Sequence, residues 1–278
     1  MQKRGLMRMK KSLVLYFSII ALCVSAGNTQ NSVLSVVLNN SLSYHQRAKQ
    51  LVSITSNLQQ SDVDAIHVFL ELKDGGRLKN LEFNSLKNDL VLCLMRQSRK
   101  DDKLVPHLIA MYKDTSHDLV WRNYCVQFMG RIYPDSTMQE KELLKKTLQA
   151  VLKDPISMLA ITGMIAMELN KGSLKTDKEF LNSRAFELLQ KDIPPYAMVT
   201  LIQICGMNRI KPDQVRPLLY SILKNSKETQ LKVSAIAALG EYGNRKDLDI
   251  IESYRKNSDV RLRSAAMAAC KKLTQQSE

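Results

Sequence analysis

The sequence predicts an all-α protein, a right-handed α-solenoid of about six stacked antiparallel helix pairs, from three observations. Glycine and proline, the residues that break helices, number only 10 and 7 of 278, about half their usual share. The chain is rich in leucine, lysine, methionine and alanine and only 6% aromatic, which favours helices over strands. An amphipathic phrase also recurs at intervals of 31 to 38 residues, which is typical of stacked helical repeats.

The first 26 residues are typical of a secretory signal peptide. Residues 1–12 hold five basic residues and no acidic one, and residues 13–26 form an uncharged, mostly apolar run that ends at Ala26. A basic start, a short apolar run and a small residue at the exit mark such a leader. The apolar run falls short of the roughly 20 residues that span a bilayer, so an uncleaved membrane anchor is the lesser alternative. We expect an exported protein, periplasmic or secreted.

The basic charge of the chain leaves several classes of partner open. The net charge is +14, and it falls to about +9 when the five basic residues of the leader are removed. A surface of this sign favours acidic partners, such as anionic polymers, lipid headgroups or acidic proteins. No block of five or six like charges occurs after the leader, so solvated, lysine-rich helix faces account for the charge equally well.

Five copies of the recurring sequence pattern can be aligned in one frame, in which positions are counted from a zero position near the start of each copy. The zero positions are Arg122, Met158, Tyr196, Lys232 and Arg263. An acidic residue stands four residues before each of them, and the three basic ones are followed three residues later by a small residue. A degenerate earlier copy begins at Asn84. Each copy predicts the first helix of a pair.

A second amphipathic pattern follows each copy. In residues 212–225, apolar side chains recur with the i, i+3, i+4, i+7 spacing of one helix face, and residues 140–154 repeat this pattern. Equivalent segments lie at 103–114, 177–192 and 246–257, residues 45–58 and 61–76 form an N-terminal pair, and a last helix lies near 259–274. One pair cannot bury its own apolar face, whereas stacked pairs share a continuous core.

Small residues on the first helices indicate how neighbouring pairs dock. The segment 231–243 carries Ala235, Ala237 and Ala238, which keep the helix slim enough for the next pair to pack closely. Gly240 or Gly243 can then adopt the positive φ that ends the helix and turns the chain.

The frame resembles HEAT repeats, in particular the short HEAT-like repeats of the bilin-lyase type. In those repeats an acidic residue, Val-Arg, two small residues and Leu-Gly recur along a HEAT-like or ARM-type superhelix. The resemblance is strongest over 228–274, fair over 118–130 and only positional over 154–206. It implies a ladder of Asp–Arg contacts along the stack. That ladder would give a structural role to Asp118, Arg122, Glu228, Lys232, Asp259 and Arg263.

The cysteines are interpreted as buried, inert thiols. Apart from the leader, the chain holds Cys93, Cys125, Cys205 and Cys270, each in an apolar helical stretch and none in a C-x-x-C motif. Whether any pair forms a disulfide stays open, because the sequence does not give the separation of the Cα atoms.

Motifs of catalysis and metal binding are absent from the sequence. His45, His67, His107 and His117 are scattered, and no His-Glu dipeptide occurs, which argues against the metal-binding HEAT-like hydroxylases. The glycine-rich phosphate loops and the nucleophile elbow are also missing. We therefore expect no enzymatic activity, no cofactor and no metal, and we interpret His67 as a core or rim residue.

One sharper hypothesis concerns the only tryptophan. Trp121, Arg122 and Tyr124 can form a stacking platform for a base or a cation, and HEAT-like DNA glycosylases bind duplex DNA on such a solenoid. The repeat frame already explains Arg122, and Trp121 can cover the boundary between two pairs. We prefer this structural interpretation and expect no nucleic-acid partner.

The favoured function is that of an exported, non-enzymatic scaffold. It would bind another, possibly acidic, protein through a concave surface lined by the second helices, with residues 27–278 as one domain. Membrane contact is expected only through an uncleaved leader. A tetrapyrrole (bilin) lyase-like enzyme, suggested by the resemblance alone, and a basic solenoid that binds nucleic acid are the alternatives.

Overall fold

The computed structural model describes residues 33–54, 58–174 and 178–275. The predicted signal peptide and its cleavage site after Ala26 lie outside these residues. The chain divides into two compact units, Met1–Met129 (unit 1) and Gly130–Glu278 (unit 2), and each is described by itself. The prediction that residues 27–278 form one domain stays a prediction.

Every regular element of the described residues is a helix, so the predicted all-α class is confirmed. Unit 1 begins with α1 (Val33–Val37), α2 (Tyr44–Ser53), α3 (Gln60–Glu71), α4 (Asn80–Met95) and α5 (Leu104–Lys113), and α6 (Leu119–Ile132) runs across the boundary. Unit 2 continues with α7 (Met138–Val151), α8 (Ser157–Leu169), α9 (Lys171–Leu174), α10 (Lys178–Leu189), α11 (Pro195–Met207), α12 (Pro212–Asn225), α13 (Thr229–Tyr242), α14 (Leu248–Glu252) and α15 (Val260–Gln275). Single 3₁₀ turns span Tyr133–Asp135 and Arg245–Asp247. Within the described ranges, none of these helices has both the length and the apolar character that crossing a membrane requires.

The predicted frame maps onto these helices in order. The five zero positions lie on α6, α8, α11, α13 and α15, which we call the first helices. The second patterns form α7, α10, α12 and α14, and the earlier pairs are α2 with α3 and α4 with α5. The second pattern near residue 250 is shorter than predicted, because α14 is only five residues long.

Unit 2 packs as the repeat frame predicts. Its first helices stack on one another, α8 on α11, α11 on α13 and α13 on α15, while α10 packs on α11 and α12 on α13. The hydroxyl of Tyr242, at the end of α13, donates to the carbonyl of Ile210, just beyond α11, at 3.1 Å. The amide of Asn170, beyond α8, donates to the carbonyl of Gly130 at 2.8 Å. The C-terminal ends of the first helices therefore lie along one edge of unit 2.

Glycine facing alanine sets the spacing of the first helices. A Cβ built on Gly240 would lie 2.9 Å from the Cα of Ala269 on α15, and one on Gly206 would lie 2.8 Å from the Cα of Ala238 on α13. Distances this short leave no room for a methyl group without a backbone shift. The stack thus depends on glycine at these two contacts.

Some of the small residues of α13 lie where the sequence predicted, and others do not. Ala235 and Ala238 are buried as expected, but Ala237 is exposed, so the docking role predicted for it is wrong. Of the two candidate glycines, Gly243 ends the helix with φ of 70°, whereas Gly240 lies within the helix and contacts α15.

A buried carboxylate joins the last pairs of unit 2. The Asp247 side chain is fully buried and accepts from Nε of Arg216 at 3.2 Å and from the hydroxyl of Tyr220. Burial and the bond to Asp247 raise the pKa of Tyr220 to about 12, so the phenol stays a hydrogen-bond donor. This network fixes α12 against the turn that precedes α14.

Candidate functional site

Three acidic residues of the repeat frame accept main-chain N–H groups near the start of a first helix. Oδ1 of Asp118, Asp154 and Asp259 each accepts the main-chain N–H two residues later, at 2.8 to 2.9 Å. Aspartate in this position satisfies a donor at a helix start that has no partner within the helix. Asp118 also accepts the side-chain amides of Asn80 and Asn84 on α4. Asp118, Asp154 and Asp259 therefore have a structural role, whereas the side chain of Glu228 makes no capping hydrogen bond at the start of α13.

Two of the three basic zero residues bond to main-chain carbonyls of the preceding segment. Nε of Arg122 donates to the carbonyl of Tyr112 near the end of α5 at 2.8 Å, and Nη1 of Arg263 donates to the carbonyl of Asn257 at 2.6 Å. A cation suits the C-terminal end of a helix, where carbonyls lack partners. Both arginines thus tie a first helix to the chain just before it.

The alternative of a stacking platform around Trp121 does not fit the structure, as the preferred structural interpretation of the sequence expected. Trp121 is fully buried and Arg122 almost so, whereas a base needs an exposed ring face on which to stack. The Trp121 ring instead lies 5.0 Å from Nζ of Lys87. The structural interpretation of this pair is the one that the packing supports.

All four cysteines of the described chain are buried and free, which confirms the predicted buried thiols. Burial raises the pKa of Cys205 to about 12 and also raises the pKa of Cys125. Because the thiolate is the nucleophilic form, these side chains behave as small apolar groups.

Unit 1 contains a fully buried lysine that no sequence pattern singled out. The Lys87 side chain on α4 lies inside the fold, where Nζ donates to the carbonyl of Leu72 and sits 4.5 Å from the centroid of the Phe83 ring. Burial lowers the pKa of Lys87 to about 7. Near neutral pH the amine is thus half neutral, which is unusual for lysine.

Three of the scattered histidines make polar contacts where the α3 segment faces the α5 segment, a region that we call the α3–α5 seam and define by His67, Lys73, Asp101, His107 and His117. Nδ1 of His67 and Nδ1 of His107 lie 2.9 Å apart, and Nε2 of His67 lies 2.6 Å from Oδ2 of Asp101. Nε2 of His117 lies 2.7 Å from Nζ of Lys73. His67 and His107 are 40 residues apart, close to the repeat interval, and this spacing was the signal that could have paired them. Within the described ranges, no three His, Cys, Asp or Glu side chains form a group that could hold a metal ion.

Exposed apolar side chains mark three successive turns of unit 2. Met138 after α6, Leu169 at the end of α8 and Met207 at the end of α11 are 83%, 79% and 57% exposed. Each turn region also carries an exposed cation, namely Arg131, Lys171 and Arg209, of which Lys171 pairs with Glu168 at 2.8 Å. We call these six residues the turn edge. Since the C-terminal ends of the first helices share one edge, the three turns are neighbours on the surface of unit 2.

The backbone holds one of these cations in a costly conformation. Arg209 has φ of 52°, in the left-handed region that side chains other than glycine rarely adopt. Such a residue costs on the order of 1 kcal/mol and persists where the surrounding structure enforces it. Ile210, which follows, is buried and bonded to Tyr242, and this anchor holds the Arg209 side chain outward.

Comparison with known proteins identifies no family. No protein-family model matches the chain, and no curated protein matches it. Among solved structures, human deoxyhypusine hydroxylase in complex with glycerol is 14% identical, with a TM-score of 0.37 over 95% of this chain and 99% of that one. A designed armadillo repeat protein is 14% identical, with a TM-score of 0.43 over 81% of this chain and 99% of that one. The assignment as a helical-repeat protein rests on the helix packing described above.

Proposed function

We propose that the protein is an exported, non-enzymatic scaffold of HEAT-type repeats that binds another protein through the turn edge of unit 2. The observation that carries this proposal is the series of three turns, each with an exposed large apolar side chain and an exposed cation. A partner with acidic groups around small apolar pockets fits this arrangement.

The energetics support a modest, multipoint contact. Covering one Met or Leu side chain contributes roughly 1.5 to 3 kcal/mol, and a few such anchors dominate the affinity of typical interfaces. Exposed cations add little affinity on their own but steer an acidic partner and set its register. We therefore expect affinity that falls when the apolar anchors are removed and an association rate that falls with salt.

The turn edge differs from the concave surface that the sequence suggested. On the second helices of unit 2, Leu143 of α7 is exposed to a smaller extent than the anchors of the turn edge. We therefore place the principal contact at the turns, and we keep the second-helix face as the alternative that the same experiment addresses.

Site-specific photocrosslinking in the native compartment tests the contact surface. A photoreactive residue replaces Leu169 or Met207, and matched positions are Leu143 on the second-helix face and Tyr196 at the opposite end of α11. We expect one crosslinked product from positions 169 and 207 and none from 143 and 196. The triple variant Met138→Ser, Leu169→Ser and Met207→Ser should lose co-purification of that product at both low and moderate salt. Crosslinks confined to position 143 would move the contact to the second helices, and none at any position would contradict a protein partner.

Export needs a separate measurement. Mass spectrometry of the protein isolated from its host should give a mature N-terminus at Gly27. A cytoplasmic protein that retains Met1 would contradict the proposed export and would restore the nucleic-acid alternative.

A further inference from the structure

We propose that the α3–α5 seam of unit 1 is an acid-sensitive contact, which opens when its histidines take up protons while unit 2 stays closed. This inference is independent of the proposed function. It rests on the hydrogen-bond geometry of two histidine contacts and on the distribution of histidine along the chain.

The contact between His67 and His107 needs one proton between the two facing nitrogens. Asp101 lies 2.6 Å from Nε2 of His67, and a carboxylate accepts hydrogen bonds, so this nitrogen carries a proton. Nδ1 of His67 and Nδ1 of His107 lie 2.9 Å apart, so one of them must donate and the other must accept. When both histidines are doubly protonated, two N–H groups and two positive rings face each other. The contact therefore fails when both rings have taken up a second proton.

The contact between His117 and Lys73 has the same requirement. A lysine ammonium has only donors, so Nε2 of His117, 2.7 Å from Nζ of Lys73, must accept and His117 must be neutral. Its other ring nitrogen is buried and has no hydrogen-bond partner. Burial and the cations Lys87 and Lys73 lower the pKa of His117 to about 4. Protonation would set two cations at hydrogen-bond distance.

The surrounding charges do not remove this sensitivity. On the acidic side, Glu71 of α3 lies 3.8 Å from Nδ1 of His107, and Asp114 bonds to Lys73. Asp64 of α3 is paired with Lys103 at 2.9 Å on the exposed side of the seam. The remaining cations that face His117 are Lys87 of α4 and Arg122 of α6. Burial and the charge of His67 lower the pKa of His107. Glu71 can attract a proton to His107, but it cannot supply an acceptor to the two facing Nδ1 atoms.

The two units differ sharply in their histidine content. All four histidines of the chain lie between residues 45 and 117, in unit 1, and residues 130–278 contain none. Histidine is the side chain whose ordinary pKa lies between pH 5 and 8. Unit 2 is thus an internal control over the pH range in which histidine titrates.

Hydrogen–deuterium exchange of the full chain, compared at pH 6.5 and 5.0 after correction for intrinsic exchange rates, tests the proposal. A histidine whose pKa falls from 6.5 to about 4 on folding raises the opening equilibrium constant about 15-fold over this interval. We expect an increase of about 10-fold or more for amides of α3 and α5 and less than about twofold for α11 and α13. Equal increases in both units, or none in unit 1, would overturn the proposal.

Histidine variants assign the effect to the seam. Glutamine offers a neutral acceptor at any pH, so His117→Gln should remove a large part of the increase, and adding His67→Gln should remove most of the remainder. His45→Gln, at an exposed position of α2, is the matched control and should leave the increase intact. If the seam variants and the control behave alike, the histidines of the seam are not responsible. If a seam variant does not fold, the comparison of the two units in the unaltered protein still decides.

Discussion

Replacing Lys87 by methionine tests how unit 1 tolerates a buried amine. The folded protein holds the pKa of Lys87 at about 7, well below its ordinary value of 10.5, because of burial. Between these two values the unfolded chain binds more protons than the folded one, so the stability of unit 1 rises with pH. Methionine has a similar shape and no charge, and it should remove this dependence.

The magnitude follows from the two pKa values. From pH 7 to pH 9, the linkage at Lys87 alone raises the free energy of unfolding by about 2 kcal/mol. At pH 7 the charged side chain costs about 4 kcal/mol. Losing the bond to Leu72 and the contacts with Phe83 and Trp121 offsets roughly half of that. We therefore expect Lys87→Met to be about 2 kcal/mol more stable at pH 7 and no longer to gain stability by pH 9. The thiols of the unfolded chain begin to titrate in the same interval and lower the stability of both proteins alike, so the contribution of Lys87 is the difference between the two proteins.

Urea denaturation followed by tryptophan fluorescence is the assay. The only tryptophan, Trp121, is buried beside Lys87, so its emission reports the unfolding of unit 1. The matched control is Lys49→Met at an exposed position of α2, which should follow the unaltered protein at each pH. The reasoning is refuted if the Lys87→Met variant gains as much stability between pH 7 and 9 as the unaltered protein does, or if it is less stable at pH 7.

Two further predictions concern unit 2, and circular dichroism during thermal unfolding checks both. Gly240→Ala places a methyl group 2.8 Å from the Cβ of the facing alanine, so we expect a loss of about 1 to 3 kcal/mol. Gly172→Ala, where nothing lies within 4 Å of the added atom, should not destabilise, and equal losses would contradict the close packing of α13 on α15. Asp247→Ala leaves a buried arginine without its carboxylate, so we expect a loss of about 3 to 5 kcal/mol. Asp213→Ala, at an almost fully exposed partner of the same arginine, should change stability by less than about 1 kcal/mol, and a comparable loss would contradict the burial argument.

The fold was predictable because its determinants are local and periodic. The frame with zero positions from Arg122 to Arg263 placed all five first helices, since one amphipathic stripe per helix is visible in the sequence itself. The choice between Gly240 and Gly243 was not predictable in this way. It depends on whether α15 needs a close approach at one of them, and that is a property of the docked pair.

The polar contacts of unit 1 were hidden for a related reason. Lys87 looks like an ordinary solvent-facing lysine of a helix, but α4 is covered on most sides, and its buried residues include Asn84 as well as Lys87. His67 and His107 are 40 residues apart, and only the alignment of second helices in adjacent pairs brings them together. The sequence pattern thus predicts which helices stack but not which polar groups their docking encloses.

The stability of the two units is sensitive to different changes. Unit 1 encloses Lys87, whose pKa burial lowers to about 7, and a neutral His117 that accepts a hydrogen bond from Lys73. Unit 2 encloses close contacts of glycine with alanine and a carboxylate that stays paired with Arg216. A fall in pH therefore acts on unit 1 through proton uptake, whereas unit 2 responds chiefly to changes in side-chain volume. Because the proposed contact surface lies in unit 2, binding through the turn edge should persist at pH values that already loosen the α3–α5 seam.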